Sequence, residues 1–337
     1  MPIEFRNTNF VNLFGDPDRP IYGDEVVIPV PPSPTPSVTP TITPTITPTL
    51  TPTPTPSATP PPQGYAEANA YLEAVVNAGG TGITSNVSAD TRTFFATLYS
   101  IGVWDKLVAF YPFIGGTADA HKFNGKDPRD LDAAYRITWY GGMTHDYEGI
   151  KPNGSNAFGN THLVPYPTID GNNEGAIGAY LRTTATTKTF ACEVGMGYYN
   201  ISYTLVNGLP NYGQNDNVGG IPADTNIGSG ISGLTAGFNL HNRVSSSSAN
   251  MYSNKVDIGA LQAGSAFDLL TGGSVVISAL RLLQGSGAPD GDGGGLYSYS
   301  DRPLSFVFFA SEGFTTQEME DFTDAVNQYQ FDLNRDI

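Results

Sequence analysis

The apolar positions change period several times along the chain, and each period predicts a different structure. From Ser33 to Thr59 every odd position is Ser or Thr. The even positions hold proline, interrupted by Val38, Ile42, Ile46, Leu50 and Ala58. In an extended chain alternate side chains point to opposite faces, so one face here is apolar and the other carries hydroxyls. A polyproline helix has three residues per turn and smears such a pattern around its axis. Residues 31–62 therefore leave two main arrangements open. One is a semi-rigid spacer of roughly 100 Å. The other is a stalk of several chains, three being expected, packed through Val38, Ile42, Ile46 and Leu50. An O-glycosylated stalk is a third option for such a tract.

Residues 1–30 hold Phe5, Phe10, Leu13, Phe14 and Ile21, too few apolar side chains to close a core. Such a segment orders against a partner or stays disordered. After the tract, Tyr65, Ala68, Leu72, Val75 and Val76 fall at helical spacing, and Gly79-Gly80 stops the run. A second helix is expected from near Ser88 or Asp90, with Phe94, Phe95, Leu98, Tyr99 and Ile101 on its inner face. Val103 to Phe110 follows Gly102, giving a helical subdomain over 63–113.

From about 114 the pattern becomes short alternating runs. Tyr135, Ile137 and Trp139 form one, and Tyr199, Ile201, Tyr203 and Leu205 another. Ser274 to Leu283 and Leu304 to Ala310 are two more, and Asn153-Gly154, Asp170-Gly171 and Asn207-Gly208 read as turns. Repeated short strands predict a mainly β jelly-roll sandwich over 114–337. A helix ends it: Thr315 and Glu318 suit a capping box, and Met319, Phe322, Val326, Tyr329 and Leu333 make a stripe.

Composition supports the β reading. Charged residues are 14% of the 337, while glycine (39) and proline (26) are abundant, a profile unlike a helical enzyme. The net charge of −16 repels phosphate, so nucleic acid and anionic membrane surfaces are not expected partners. Cys192 is the one cysteine, which rules out an intrachain disulfide, and alternation predicts a buried, inert thiol. Met1 to Arg6 show no basic or apolar leader pattern, and no apolar run approaches the roughly 18 residues of a membrane helix.

An ordered set of segments then carries a resemblance. It comprises Gly102 to Leu107, Tyr111 to Ala118, His121 to Asn124, Asp127 to Arg136, Lys151 to Gly154, Gly159 to Thr161 and Leu333 to Arg335. Over 65–337 the chain resembles phage structural proteins and adhesins, head-fibre or tail-associated, with a concanavalin A/laminin G-like jelly roll. The resemblance does not reach residues 1–62 and transfers no ligand residues. It implies a virion surface protein; joined to the reading of residues 1–30 as an anchor and of 31–62 as a stalk, it predicts docking on a capsid, neck or tail protein and a head, expected as a trimer, that meets host surface glycans. A decoration protein without ligand and a polysaccharide-degrading enzyme are the rivals.

Candidate chemistry is sparse. A glycosidase needs two carboxylates about 5–10 Å apart, yet Glu148, Glu174 and Glu193 stand alone in the sequence, so no catalytic residues and no enzyme are expected. His121, His145, His162 and His241 show no metal spacing, though His145-Asp146 suits a loop pair. Asp290 and Asp292 sit on a glycine-rich turn that suits Ca²⁺ but lacks further acidic ligands, so a plain loop and no cofactor are expected, with a calcium site as the alternative. Gly115-Gly116 suits a turn of positive φ, and Arg136 with Asp127, Asp130 and Asp132 suits an ion-pair network. Trp104 and Trp139 read as core more readily than as sugar platforms. Sugar binding needs aromatic faces beside amides and hydroxyls. Tyr212 with Asn215 and Asp216, and Tyr297 with Tyr299 and Asp301, have that composition.

Overall fold

A computed structural model describes residues 60–168, 174–188, 191–198, 201–207, 234–245, 248–261, 272–282 and 287–337. The anchor residues Phe5 to Ile21, the stalk positions Val38 to Leu50, the Asp170-Gly171 turn and the loop with Tyr212, Asn215 and Asp216 lie outside the described residues.

Two helices open the described chain, α1 (Tyr65–Asn77) and α2 (Ser85–Ser100). The second begins earlier than the apolar pattern implies, because Thr84 caps it by accepting from the Val87 amide at 3.2 Å. Short helical turns α3 (Ala118–His121) and α4 (Pro165–Thr168) lie in connections, and α5 (Thr316–Asp332) closes the chain. It carries the expected capping box between Thr315 and Glu318, and Met319, Phe322, Val326 and Tyr329 are buried.

The rest is mainly β. One sheet, here the central sheet, contains β1 (Leu107–Tyr111), β3 (Thr144–Asp146), β4 (Gly149–Lys151), β6 (Gly175–Leu181), β9 (Gly237–Ser245), β10 (Ser248–Ser253), β11 (Val256–Leu261) and β15 (Leu304–Ala310). Its order is β11-β10-β9-β6-β15-β4-β3, with β1 also beside β15. The outer sheet contains β2 (Thr138–Tyr140), β5 (Phe158–Asn160), β7 (Ala191–Tyr198), β8 (Ile201–Asn207), β12 (Val276–Ile277), β13 (Leu280–Leu282) and β14 (Gly295–Tyr297). Its order is β14-β13-β7-β12-β5-β2, with β8 on the other side of β7. All pairings are antiparallel except β13 with β7 and the isolated bridge Cys192–Tyr299.

The central sheet is covered on both faces. Val307 and Phe309 of β15, with Ile177, Ala179 and Leu181 of β6, pack against Val194 and Ile277 of the outer sheet. Phe306, Phe308 and Ala310, with Tyr180, Phe238 and Leu240, pack against α1, α2 and α5. Phe94 stacks on Tyr329 at 4.4 Å, and Phe308 meets Phe322 edge-on at 4.9 Å. Burial on both sides explains why β15 reads Leu-Ser-Phe-Val-Phe-Phe-Ala, an apolar run interrupted only by Ser305. Each such ring removed from water contributes about 1.5–3 kcal/mol.

Several local expectations are corrected. Leu107–Tyr111 is a strand rather than helix, pairing with β15. Ser274 to Leu283 is two short strands, broken at Ser278 with φ 67. Tyr135 is not in a strand but ends a 3₁₀ turn with φ 60. Arg136 pairs with Asp130 and Asp132 as expected, both at 2.8 Å, whereas Asp127 takes Arg129. Cys192 and Trp104 are buried. Gly115 and Gly116 have φ 101 and 66, as a left-handed turn requires.

Candidate functional site

Tyr140 on β2 and Phe158 on β5 lie directly opposite each other, and their rings stack at 4.7 Å and 6°. Their strand neighbours Trp139 and Gly159 are also opposite each other. Side chains alternate along a strand, so these point to the other face. There the Trp139 ring fills the space over Gly159, where a Cβ would come within 2.6 Å. Trp139 thus faces inward, toward Phe113 at 6.0 Å, and the Tyr140–Phe158 pair faces outward. Tyr299 lies 6.5 Å from Phe158, and Val276, Ala279 and Leu296 complete the cluster. Phe158 is buried, while Tyr140 and Tyr299 remain partly exposed. Among the described strands β2 is the sheet edge, so Tyr140 has no cross-strand neighbour on its other side. The result is an aromatic shelf.

Polar groups line this shelf through β5. Asn160 is two residues from Phe158 and therefore shares its face. Its amide donates to Oδ2 of Asp290 at 3.0 Å and to Oδ2 of Asp292 at 3.3 Å. Asp290 and Arg281 form a fully buried fork-to-fork pair, with Nη1 reaching Oδ1 at 3.2 Å and Nη2 bonding Oδ2. The remaining Arg281 donors go to the carbonyls of Ser274 at 2.9 Å and Gly293 at 2.8 Å. Asp292 accepts from the amide and hydroxyl of Ser274, again through Oδ2. Among the described residues every hydrogen bond of the Asp292 carboxylate uses Oδ2, its side chain is 34% exposed, and Oδ1 has no donor from them. The turn that offered calcium as an alternative holds a guanidinium instead: Arg281 occupies the cation position between Asp290 and Asp292, and the glycines at 291, 293 and 294 (φ 74, 73 and 71) let the turn fold over it.

Three other carboxylates, Glu193, Glu148 and Asp301, are engaged within the fold. Glu193 and Arg302 form a buried pair at 2.8 Å, to which Ser300 adds a hydroxyl at 3.0 Å. Burial pushes the Glu193 carboxyl up, against the pull of Arg302. Glu148 takes Arg182 at 3.0 Å. Asp301 accepts from the Thr186 hydroxyl and the Thr187 amide and hydroxyl. Burial raises its carboxyl, but those hydrogen bonds win and hold it low. Of the residues expected to bind sugar, Tyr299 lies on the shelf, Tyr297 is 43% exposed on β14, and Asp301 ties down the 186–187 loop. Tyr140 and Asn160 were not among those candidates. Tyr140 merely continues the alternation through Ile137 and Trp139 on the opposite face.

The histidines form an arrangement that spacing did not suggest. His145 does not pair with Asp146; its Nδ1 lies 3.1 Å from Nδ1 of His121. The Gly116 amide donates to Nε2 of His121 at 3.1 Å, so that nitrogen is an acceptor and the proton sits on Nδ1. Nδ1–H then donates to His145 Nδ1, which leaves the His145 proton on its buried Nε2. A metal on His121 Nδ1 would need the Nε2 proton back, facing the Gly116 N–H. The pair is a neutral relay in this geometry and not a ligand set. Burial pulls His121 well below the usual range and His145 to about 4. Among the described residues no group of three or more His, Cys, Asp or Glu is placed to hold a metal.

A groove of about 590 Å³ lies beside α5, flanked by exposed Phe331 and Ile337. Several of its polar groups are already engaged. Asn254 bonds Phe238 and Ala236, Asp324 takes Lys255, and Gln328 takes Asp332. The shelf differs from this groove in setting two partly exposed tyrosine rings beside a carboxylate.

No protein family and no curated protein matches the sequence. Among solved structures, the chain is similar to Trypanosoma rangeli sialidase in complex with sialic acid, with TM-score 0.40 and 11% identity over 67% of this chain and 34% of that one. It is also similar to the botulinum neurotoxin serotype D ligand binding domain in complex with N-acetylneuraminic acid, with TM-score 0.34 and 8% identity over 68% and 52%. The chain spans about a third of the sialidase and half of the toxin domain. Likeness at this level concerns architecture alone.

Proposed function

We propose that the chain is a virion surface protein whose β-sandwich head holds host glycans on the Tyr140–Phe158–Tyr299 shelf without turning them over. The observation that carries this is the pairing of the partly exposed Tyr140 and Tyr299 rings, backed by buried Phe158, with an Asp292 oxygen that accepts no hydrogen bond among the described residues. Sugars dock their apolar faces on rings and their hydroxyls on fixed acceptors. Turnover would need two carboxylates free to exchange protons across a glycosidic bond. Here Asp290, Glu193, Glu148 and Asp301 act as counter-ions or loop ties.

The virion setting rests on the resemblance carried by residues such as Gly102 to Leu107 and Asp127 to Arg136, and the jelly-roll relationship with it. The alternating Thr/Pro tract suits a stalk, with residues 1–30 as the foot on a capsid, neck or tail protein. A trimer would raise weak single-site affinity through many copies.

The test is glycan binding by the full chain. Wild type should bind oligosaccharides, Tyr140→Ala should lose at least tenfold in affinity, and no reducing ends should appear on prolonged incubation. A blank glycan array on folded protein leaves the ligand-free decoration role. Release of reducing sugar leaves the enzyme. A density map of intact particles would locate residues 1–30 and count the chains in the stalk.

A further inference from the structure

We infer that the shelf selects neutral or amine-bearing saccharides and rejects those bearing carboxylates; this rests on the reading of the shelf as a glycan site. An anionic sugar is held by cationic donors, most effectively by the planar fork of arginine. Arg281 is a guanidinium beside the shelf, and its donors are turned into the fold. Four of its five N–H groups bond Asp290 and the carbonyls of Ser274 and Gly293, and the remaining Nη2 donor lies on the side of Asp292, 3.7 Å from Oδ2. It is fully buried, and Asp290 cancels its charge.

What remains to face a ligand is negative. Asp292 presents one carboxylate oxygen, an acceptor with no proton to give. The Tyr140 hydroxyl is pushed up by burial first and then by Asp290; Arg281 opposes this, and Asp132 and Asp292 add to it. Three carboxylates and one guanidinium thus act at the outer end of the shelf. Asp132 is itself paired to Arg136, while Asp290 and Asp292 share the single charge of Arg281, which bonds Asp290 and lies 3.7 Å from Asp292, so this pair stays net negative on the Asp292 side. A second carboxylate brought close to Asp292 meets like-charge repulsion with no donor between them. A pair of hydroxyls, or an ammonium, meets an acceptor.

The experiment uses the full chain and oligosaccharides of matched length in three charge classes. Cellohexaose and N-acetylchitohexaose are neutral, fully de-N-acetylated chitohexaose is cationic, and hexagalacturonate is anionic, with sialyllactose as a second acid. Direct binding is measured at physiological and at low salt. The expected result is binding of at least one neutral or cationic member, at least tenfold tighter than either acid. Lower salt should widen the gap. Asp292→Asn keeps the hydrogen-bonding shape and removes the charge, so it should narrow the discrimination several-fold, while Tyr140→Ala should weaken all classes alike. If wild type prefers the acids and Tyr140→Ala abolishes that binding, the charge inference fails while the shelf stands. If no class binds to protein that unfolds cooperatively, the shelf reading fails and takes the inference with it.

Discussion

Arg335 donates from Nη1 to the carbonyl of Phe113 at 3.0 Å, and Phe113 is held in the left-handed region at φ 47. Nη2 reaches the carbonyl of Pro112 at 3.0 Å and that of Ser305 at 3.4 Å. The guanidinium is fully buried among carbonyls, and burial pulls it down to about 10. A non-glycine residue at positive φ stores strain of about 1–3 kcal/mol unless neighbours fix it. The chain's third-last residue therefore pins a strained corner that follows β1.

The first prediction comes from this pin. Arg335→Met leaves three buried carbonyls without donors and should lower unfolding free energy by about 3 kcal/mol or more. Arg335→Lys should be nearly as damaging, because an ammonium cannot span the carbonyls of Phe113 and Pro112 as a fork does. Urea unfolding measures both. A lysine variant as stable as wild type would refute the geometric argument.

The histidines set acid sensitivity. His145 is pulled to about 4 and His241 to about 3, in each case by burial first, and His121 is also lowered. Above pH 6.5 these groups are neutral in both states and the fold keeps its full stability. As pH falls below 6.5, the unfolded chain gains protons that the folded chain refuses until the depressed values are reached. Stability should therefore drop between pH 6.5 and about 4, by up to roughly 1.4 kcal/mol per pH unit for each fully buried group. Glu193, pushed up by burial, is common to wild type and His121→Gln, so comparing their urea midpoints at pH 7, 6 and 5 isolates the histidine part. His121→Gln should flatten the trend; equal midpoints across that range in wild type would contradict it.

How much of this was legible depends on distance along the chain. α5 was readable to its cap, because Thr315 and Glu318 are three residues apart and the stripe is local. β15 was readable as a strand, and its apolar run, interrupted only by Ser305, also signals cover on both faces. The run from Leu107 to Tyr111 was ambiguous, since a short apolar stretch suits helix or strand until its partner is known. The His121–His145 contact spans 24 residues with no periodic signature. Asp290 and Asp292 looked like a metal turn because the cation that satisfies them sits nine residues back, on a strand whose pairing brings it there.

The Glu193–Arg302 pair makes a third prediction. Removing one charge strands the other in a low-dielectric site, so Glu193→Gln and Arg302→Met should each cost about 3–5 kcal/mol. The double variant Glu193→Leu with Arg302→Met removes both charges and should lose less than either single change. Thermal and urea unfolding of all three give the comparison. Simple additivity of the single losses would show that the charges do not act as a pair.

Calcium gives the last prediction, since the same turn suits a metal in sequence and an arginine in structure. Ca²⁺ takes six to eight oxygens at about 2.3–2.6 Å. To supply even Asp290, the fold would have to expel Arg281, whose guanidinium is buried and bonded to Asp290, Ser274 and Gly293. Stranding a buried charge costs several kcal/mol, more than two carboxylates and a few carbonyls would return. Wild type should therefore melt at the same temperature in EDTA and in millimolar calcium. A true site filled at a hundred times its Kd would add about 2.7 kcal/mol, a shift of several degrees. Arg281→Gln should behave oppositely. It leaves Asp290 and Asp292 facing each other without a cation, so it should be weaker than wild type in EDTA and regain part of the loss when calcium is added. Calcium stabilisation of wild type would restore the turn as a metal site, and an Arg281→Gln protein indifferent to calcium would show that charge balance is not what Arg281 supplies.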